Sequence, residues 1–294
     1  MDLVDRLGIM KRKQSAPSNL GLFAYDGNLI GGLLLGIGMA VTGSCPGTSF
    51  VQAGAGNAEG ILVIIGGVLG ALTFVKVQDS LKSARASKAS PKLENLEASS
   101  RTPLDIATAL GIPPMVLLMI WVPMCLAVMR VAFAKDRSQP DLLSPGLIPP
   151  SYGGLLIGLA QLATVYLTGH AVGASSGYED VARWLSGNPK NGAASQTFFT
   201  GSVVFSFGIV CSAALQNYIF YSDKPFVHGF PPVDTAPAVQ AIAGGWAMVL
   251  GARIAKGCTS GHGISGLSKF SLPSLVTTAS MFGMGIATSG VSRL

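Results

Sequence analysis

The chain is short of charge. Asp, Glu, Lys and Arg together make up 12% of its 294 residues, where a soluble domain usually carries about 25%. That is too little to clothe an ordinary water-soluble enzyme. Cysteine is scarce as well: Cys45, Cys125, Cys211 and Cys258 form no CxxC pair, and no Cys/His cluster has zinc spacing. This argues against a disulfide scaffold and against a structural metal site. No paired carboxylates and no Ser-His-Asp arrangement can be assigned, and GISG at 263–266 is too short for a nucleotide loop, with no strand before it. Neither an enzyme nor a cofactor is expected. The N-terminal stretch lacks an apolar h-region, so a cleaved signal peptide is not expected either.

What the chain has is apolar residues and glycine. Apolar residues reach 49% and mean hydropathy is +0.51. Its 38 glycines are about 13% of the sequence against a usual ~7%, without a Gly-X-Y period. The expectation is an integral multi-pass protein of the cell membrane, in contact with lipid and packed through glycine. The net charge of +6 would point to nucleic acid in a soluble chain, but here the basic residues sit in connecting segments. Arg6, Lys11, Arg12 and Lys13 precede the first apolar run, and Lys76, Lys82, Arg85, Lys88, Lys92 and Arg101 surround one linker. Such placement is that of cytoplasmic segments, so nucleic acid is not an expected partner.

About 20 apolar residues cross the hydrocarbon core as a helix. Runs near that length lie at 60–77, 111–134, 151–168, 196–221, 239–254 and 272–288. The run at 29–42 is shorter and meets GSCPGTSF; 239–254 likewise runs into KGCTSGHGISG. Polar breaks at 78–103, 135–150 and 222–237 divide the spans. This organises the chain as a polar segment at 1–28, a first membrane half at 29–134, a linker at 135–150 and a second half at 151–294. Arg130 and Lys135 mark a span end. Cys125 and Cys211, inside apolar runs, are expected in the core. Glu179 and Asp180, on an amphipathic segment, are expected to face water.

An internal repeat links the halves. GGLLLGIGMAVTGSC ends at Cys45 and GGWAMVLGARIAKGC ends at Cys258, with Gly31, Gly32 and Gly38 matching Gly244, Gly245 and Gly251 at one offset of 213. A third opening, GGLLIG at 153–158, leads to Ser175 and Ser176. Repeats of this kind mark transporter folds.

Bare backbone is not tolerated in lipid, so a Gly/Ser/Pro/Cys-rich break must line a cavity or be buried in protein. GSCPGTSF reads as a helix end, a turn and a half-helix beginning near Pro46 or Thr48, since proline suits the first turn. GCTSGHGISG reads the same way, with Thr259 and Ser260 as N-caps. A half-helix N-terminus suits a small anion, and a polarizable thiol suits a sulfur-bearing ligand. Candidate ligand contacts are therefore Cys45 with Ser44, Pro46, Gly47 and Thr48, and Cys258 with Gly257, Thr259, Ser260, Gly261, His262 and Gly263. Ser175, Ser176, Arg253 and Lys256 are secondary candidates. The alternatives are a small residue at a tight helix crossing for either cysteine, a structural hydrogen bond rather than a proton shuttle for His262, and snorkelling anchors for Arg253 and Lys256.

At GCTSGHGISGLSKFSLPSL (257–275) and GMAVTGSCPGT (38–48) the sequence resembles the YeeE/YedE family of sulfur-transport membrane proteins. The resemblance implies an all-α polytopic fold of two pseudo-symmetric halves with short re-entrant half-helices. It implies uptake of thiosulfate, or a related sulfur or selenium compound, passed between thiols by S–H···S hydrogen bonds. The functional cysteines it carries over are Cys45 and Cys258; a further pathway cysteine of the family has Ser175 and Ser176 in its place here. Rival expectations are a thiol-dependent sulfurtransferase holding a persulfide, and a scaffold beside a soluble sulfur-carrier or sulfurtransferase partner.

Overall fold

The computed structural model describes residues 18, 20, 25–87, 106–111, 113–138, 150–168, 173–187, 200–220 and 238–291. The basic residues before 18, most of the break at 78–103 and all of the loop at 222–237 lie outside them. Among the described residues the protein is helical, with no β-strand. The described residues form ten α-helices, in order: α1 (Asp26–Thr42), α2 (Thr48–Gly54), α3 (Ala58–Ser87), α4 (Ile106–Leu110), α5 (Pro114–Ser138), α6 (Pro150–Thr168), α7 (Ser175–Ser186), α8 (Gly201–Phe220), α9 (Ala238–Ile254) and α10 (Leu272–Val291). A π-helix at Ser260–Gly266 and a 3-10 turn at Leu267–Lys269 join α9 to α10.

Local chemistry explains several boundaries. Asn57 Oδ1 accepts the Glu59 N–H at 2.9 Å, capping α3, and Glu59 sits in the first turn where the helix dipole favours a carboxylate. α3 then runs through residue 78, where a polar linker was expected, as far as Ser87. α1 stops at Gly43, whose left-handed backbone closes the helix as glycine readily does. Pro123 lies within α5, where it removes one ladder hydrogen bond.

The chain forms two compact units. One contains α4, α5 and α6. Its apolar side chains point outward, with Met119 75% and Tyr166 82% exposed. Cys125 on α5 is exposed too, as is Cys211 on α8 in the other unit, which corrects the expectation that both are core residues. An apolar run identifies a helix that avoids water, but not which of its faces meets protein.

The larger unit holds the remaining helices, built around α1, α3, α9 and α10. Leu35, Val63, Val75, Met248, Val249 and Met281 form its buried core. Glycine sets the spacing of α1 against α9. A Cβ at Gly31 would meet Gly251 O at 2.6 Å, one at Gly38 would meet Gly244 O at 2.6 Å, and one at Gly251 would meet Gly31 O at 2.6 Å. Backbones touch at these points, so no larger residue fits without moving a helix. Among the described residues, a Cβ at the corresponding Gly153, Gly154 or Gly158 of α6 would meet nothing within 4 Å. Among the described residues two helices, Ala58–Gln78 and Gly201–Ile219, are long and apolar enough to cross a bilayer; α1 and α9 are shorter apolar helices of 17 residues.

Candidate functional site

Each short apolar helix is followed, two residues before a cysteine, by a residue in the left-handed region: Gly43 at φ 62° before Cys45, Lys256 at φ 65° before Cys258. The chain then starts a new helix in the same manner twice. The Ser49 N–H donates to Cys45 O at 3.0 Å and the His262 N–H donates to Cys258 O at 2.8 Å. In both segments the cysteine carbonyl accepts the first helical hydrogen bond, which is the position of an N-cap.

The thiols complete the cap. The Thr48 N–H donates to Cys45 Sγ at 3.4 Å, and the Gly261 N–H donates to Cys258 Sγ. Each donor lies three residues after its cysteine, where a capping side chain finds its partner. At Cys45 the cap is reciprocal, because the Cys45 N–H donates to Thr48 Oγ1 at 2.7 Å. That is a capping box with sulfur in place of a hydroxyl. Pro46 then occupies the first position of the helix by hydrogen bonding, where its missing N–H costs nothing. Thr259 stands at the N-cap position of the second segment, as expected, but makes no side-chain capping bond; the Gly261 N–H turns to the Cys258 thiol instead. The helix that follows is a π-helix, a rare form that is frequent at functional sites.

Cys258 is 1% exposed and surrounded by donors. Besides the Gly261 N–H, the Ser260 hydroxyl lies 3.2 Å from its sulfur, and both the hydroxyl and the N–H of Ser175 reach it. Ser175 is the first residue of α7. The buried sulfur therefore sits at the N-terminal ends of two helices, where positive partial charge favours an anion. Cys45 is half-buried. A Cβ at Gly47 would lie 3.9 Å from its sulfur and 3.7 Å from Ala174 Cβ, just before Ser175, so both cysteine segments approach the start of α7.

The remaining sequence-derived candidates divide. Ser44 is buried, its hydroxyl 3.2 Å from Thr42 Oγ1. A Cβ on Gly257 would collide with His262 Nε2 at 2.7 Å, so Gly257 makes room for that ring. His262 is buried between Ser274 Oγ and Ala255 O, each 3.0 Å from a ring nitrogen. The carbonyl only accepts, so Nε2 carries the proton and Nδ1 accepts from the Ser274 hydroxyl. Gly263 is half-buried and Lys256 is exposed. The Ser176 hydroxyl turns back to Gly173 O at 3.0 Å.

The sequence reading missed Tyr178, and it misplaced its neighbours. Tyr178 is 1% exposed, stacked on Phe50 at 4.8 Å, with its hydroxyl 2.7 Å from Ser49 Oγ and 3.3 Å from Pro46 O. It lies within electrostatic range of both thiols. Its ring fits because Gly67 on α3 has no side chain; a Cβ there would sit 2.7 Å from Tyr178 Cε1. Glu179 and Asp180 do not face water: both are buried. Glu179 pairs with Arg183 at 2.8 Å and with Arg253, while Asp180 accepts the Thr200 hydroxyl at 2.9 Å. Arg253 does not snorkel; its side chain is 15% exposed and its guanidinium lies 5.9 Å over the Phe74 ring. Among the described residues no group of three or more His, Cys, Asp or Glu side chains could hold a metal ion.

The sulphur transport family matches residues 3–288, nearly the whole chain. The protein belongs to that family. Two curated proteins of Xylella fastidiosa, from strains 9a5c and Temecula1 / ATCC 700964, are similar to it. Each is named a probable transporter and is 34% identical over 142 residues, 48% of this chain and 90% of its own length. Within this sulphur transport family member, the glycine-spaced α1–α9 crossing and the two thiol-capped segments are the parts that bring chemistry together.

Proposed function

We propose that this chain is a membrane transporter that takes up thiosulfate or a similar small sulfur anion along a path lined by Cys45 and Cys258, and that it is not an enzyme. One observation carries the reading: two thiols, 213 residues apart, cap helices through the same backbone frame, and both of their segments approach the start of α7. N–H groups at helix ends offer charge to the anionic oxygens, and the polarizable thiols offer contact to its terminal sulfur. Ser260 and Ser175 supply hydroxyls beside Cys258, and Thr48 does so beside Cys45. The family match and the names of the Xylella relatives support transport of a sulfur compound.

The same proposal includes two pseudo-symmetric membrane halves, 29–134 and 151–294, with the segments after Cys45 and Cys258 as re-entrant half-helices. Supporting it, Gly31 approaches Gly251 while Gly38 approaches Gly244. The offset of 213 carries the first contact onto the second, as a two-fold relation requires. The outward apolar faces of α5 and α6 fit a lipid environment.

Uptake of labelled thiosulfate into cells carrying Cys258→Ala should collapse while the protein remains in the membrane. Uptake like that of the unaltered chain would remove that thiol from the path. Intact-protein mass spectrometry during uptake should show no added sulfur atom on either cysteine; a stable adduct would replace passage with sulfur transfer. Purified protein in liposomes should move thiosulfate alone, and failure to do so would favour a scaffold for a soluble sulfur-handling partner.

A further inference from the structure

A buried ion-pair cluster lies one helical turn from the Cys258 sulfur. On α7, Ser175, Glu179 and Arg183 recur at four-residue intervals and so share one face, about 5–6 Å apart. The face reads in sequence. Ser175 touches Cys258, Glu179 holds Arg253 of α9, and Arg183 holds both Glu179 and Gln78 Oε1 of α3, the last at 2.7 Å. One carboxylate thus answers two guanidiniums; the other buried acid of this helix, Asp180, turns to Thr200. The Arg253 Nε–H is buried and meets no acceptor among the described residues. An unmet buried donor on a cation costs more than one on a neutral group. It marks the place where an incoming acceptor gains most.

We infer that Arg253 is the charge-selecting residue for the anion held at Cys258, and that Glu179 is a built-in competitor that holds Arg253 when no anion is present. This rests on the transport reading above. The anion draws on Arg253 through its oxygens while its sulfur faces the thiol. The Glu179 carboxylate then restores the resting pair and favours release. A cation without Glu179 would bind a divalent anion too firmly for passage; a site without Arg253 would not hold it.

The two ends of one ion pair therefore have opposite effects on affinity, which loss of packing alone does not produce. The test is thiosulfate uptake by the full chain in liposomes, with the folded fraction followed by gel filtration. Glu179→Gln keeps the side-chain shape and an acceptor for Arg183; it should lower KM and reduce kcat. Arg253→Gln should raise KM by roughly tenfold or more, the worth of one charge-assisted hydrogen bond. KM values that move in the same direction, or that do not move while uptake persists, overturn the inference. Should Glu179→Gln not fold, Arg253→Lys decides: a KM between those of the unaltered chain and Arg253→Gln supports a charge role, and one equal to that of Arg253→Gln overturns it. Failure of the transport reading shows separately, as absence of thiosulfate uptake by the unaltered chain.

Discussion

At Cys45 a half-buried thiol caps a seven-residue α-helix, and Thr48 returns the bond through its own side chain. At Cys258 a buried thiol caps a seven-residue π-helix, and the residue in the place of Thr48 is Gly261, which has no side chain to return. The first frame is closed by residues within its own turn. The second is closed from outside, by Ser175 of α7, and braced from behind by His262. A frame assembled locally tolerates exposure. One that borrows donors from another helix must be buried to keep them. The difference teaches that one backbone device can serve an accessible station and a sequestered one.

Both stations hang on the α1–α9 crossing, so the strongest way to break the comparison is to break the crossing. Gly38→Leu or Gly251→Leu should cost about 3 kcal/mol or more, since the side chain would have to displace backbone rather than a flexible neighbour. The expected outcome is loss of folded protein by gel filtration and of uptake together. Gly154→Leu and Gly158→Leu, which meet nothing within 4 Å, should leave both intact. Folded Gly38→Leu protein with full uptake would show that the two stations do not depend on that contact.

A smaller effect separates the stations themselves. In a Cys125→Ser, Cys211→Ser background, a water-soluble maleimide should modify Cys45 at least about tenfold faster than Cys258, whose reaction waits for local opening. Ser175→Ala should speed modification of Cys258 and leave Cys45 unchanged. Equal rates at the two thiols, read by mass spectrometry of peptides, would erase the distinction between open and sequestered stations.

How much of this was legible in the sequence follows the range of each interaction. The breaks after α1 and α9 and the glycines matched across them are local signals, written in neighbouring residues, and the helices do stop before Cys45 and Cys258. α7 is the opposite case. Its SGYEDVARWL stretch has the charge pattern of a solvated face, yet Glu179 finds Arg253 from 74 residues away, and Arg183 finds Gln78 from 105 residues away. Charges paired that far along the chain leave no periodic trace. Tyr178 escaped notice for the same reason: the space it fills is made by Gly67 of α3, and its hydroxyl partner Ser49 is 129 residues distant. The capping by sulfur was hidden differently. Thr259 and Ser260 are better capping residue types than cysteine, so preference alone pointed past Cys258 to its neighbours.

The smallest expected effect tests whether capping and transport are separable uses of one thiol. A serine hydroxyl is a stronger acceptor for a helix N–H than a thiol, and serine is among the best N-caps. Cys45→Ser should therefore raise stability slightly, by about 0.5–1 kcal/mol, because Thr48 keeps both of its bonds to the cap. Cys258→Ser should gain less. The shorter side chain withdraws from the Ser175 donors, and a buried donor left unmet offsets the better cap. Thermal unfolding in detergent should thus rank Cys45→Ser above Cys258→Ser, while uptake falls in both because neither presents sulfur to the anion. A Cys45→Ser protein that is more stable and still transports would leave the cap as the main role of that residue, and place the sulfur contact at Cys258 alone.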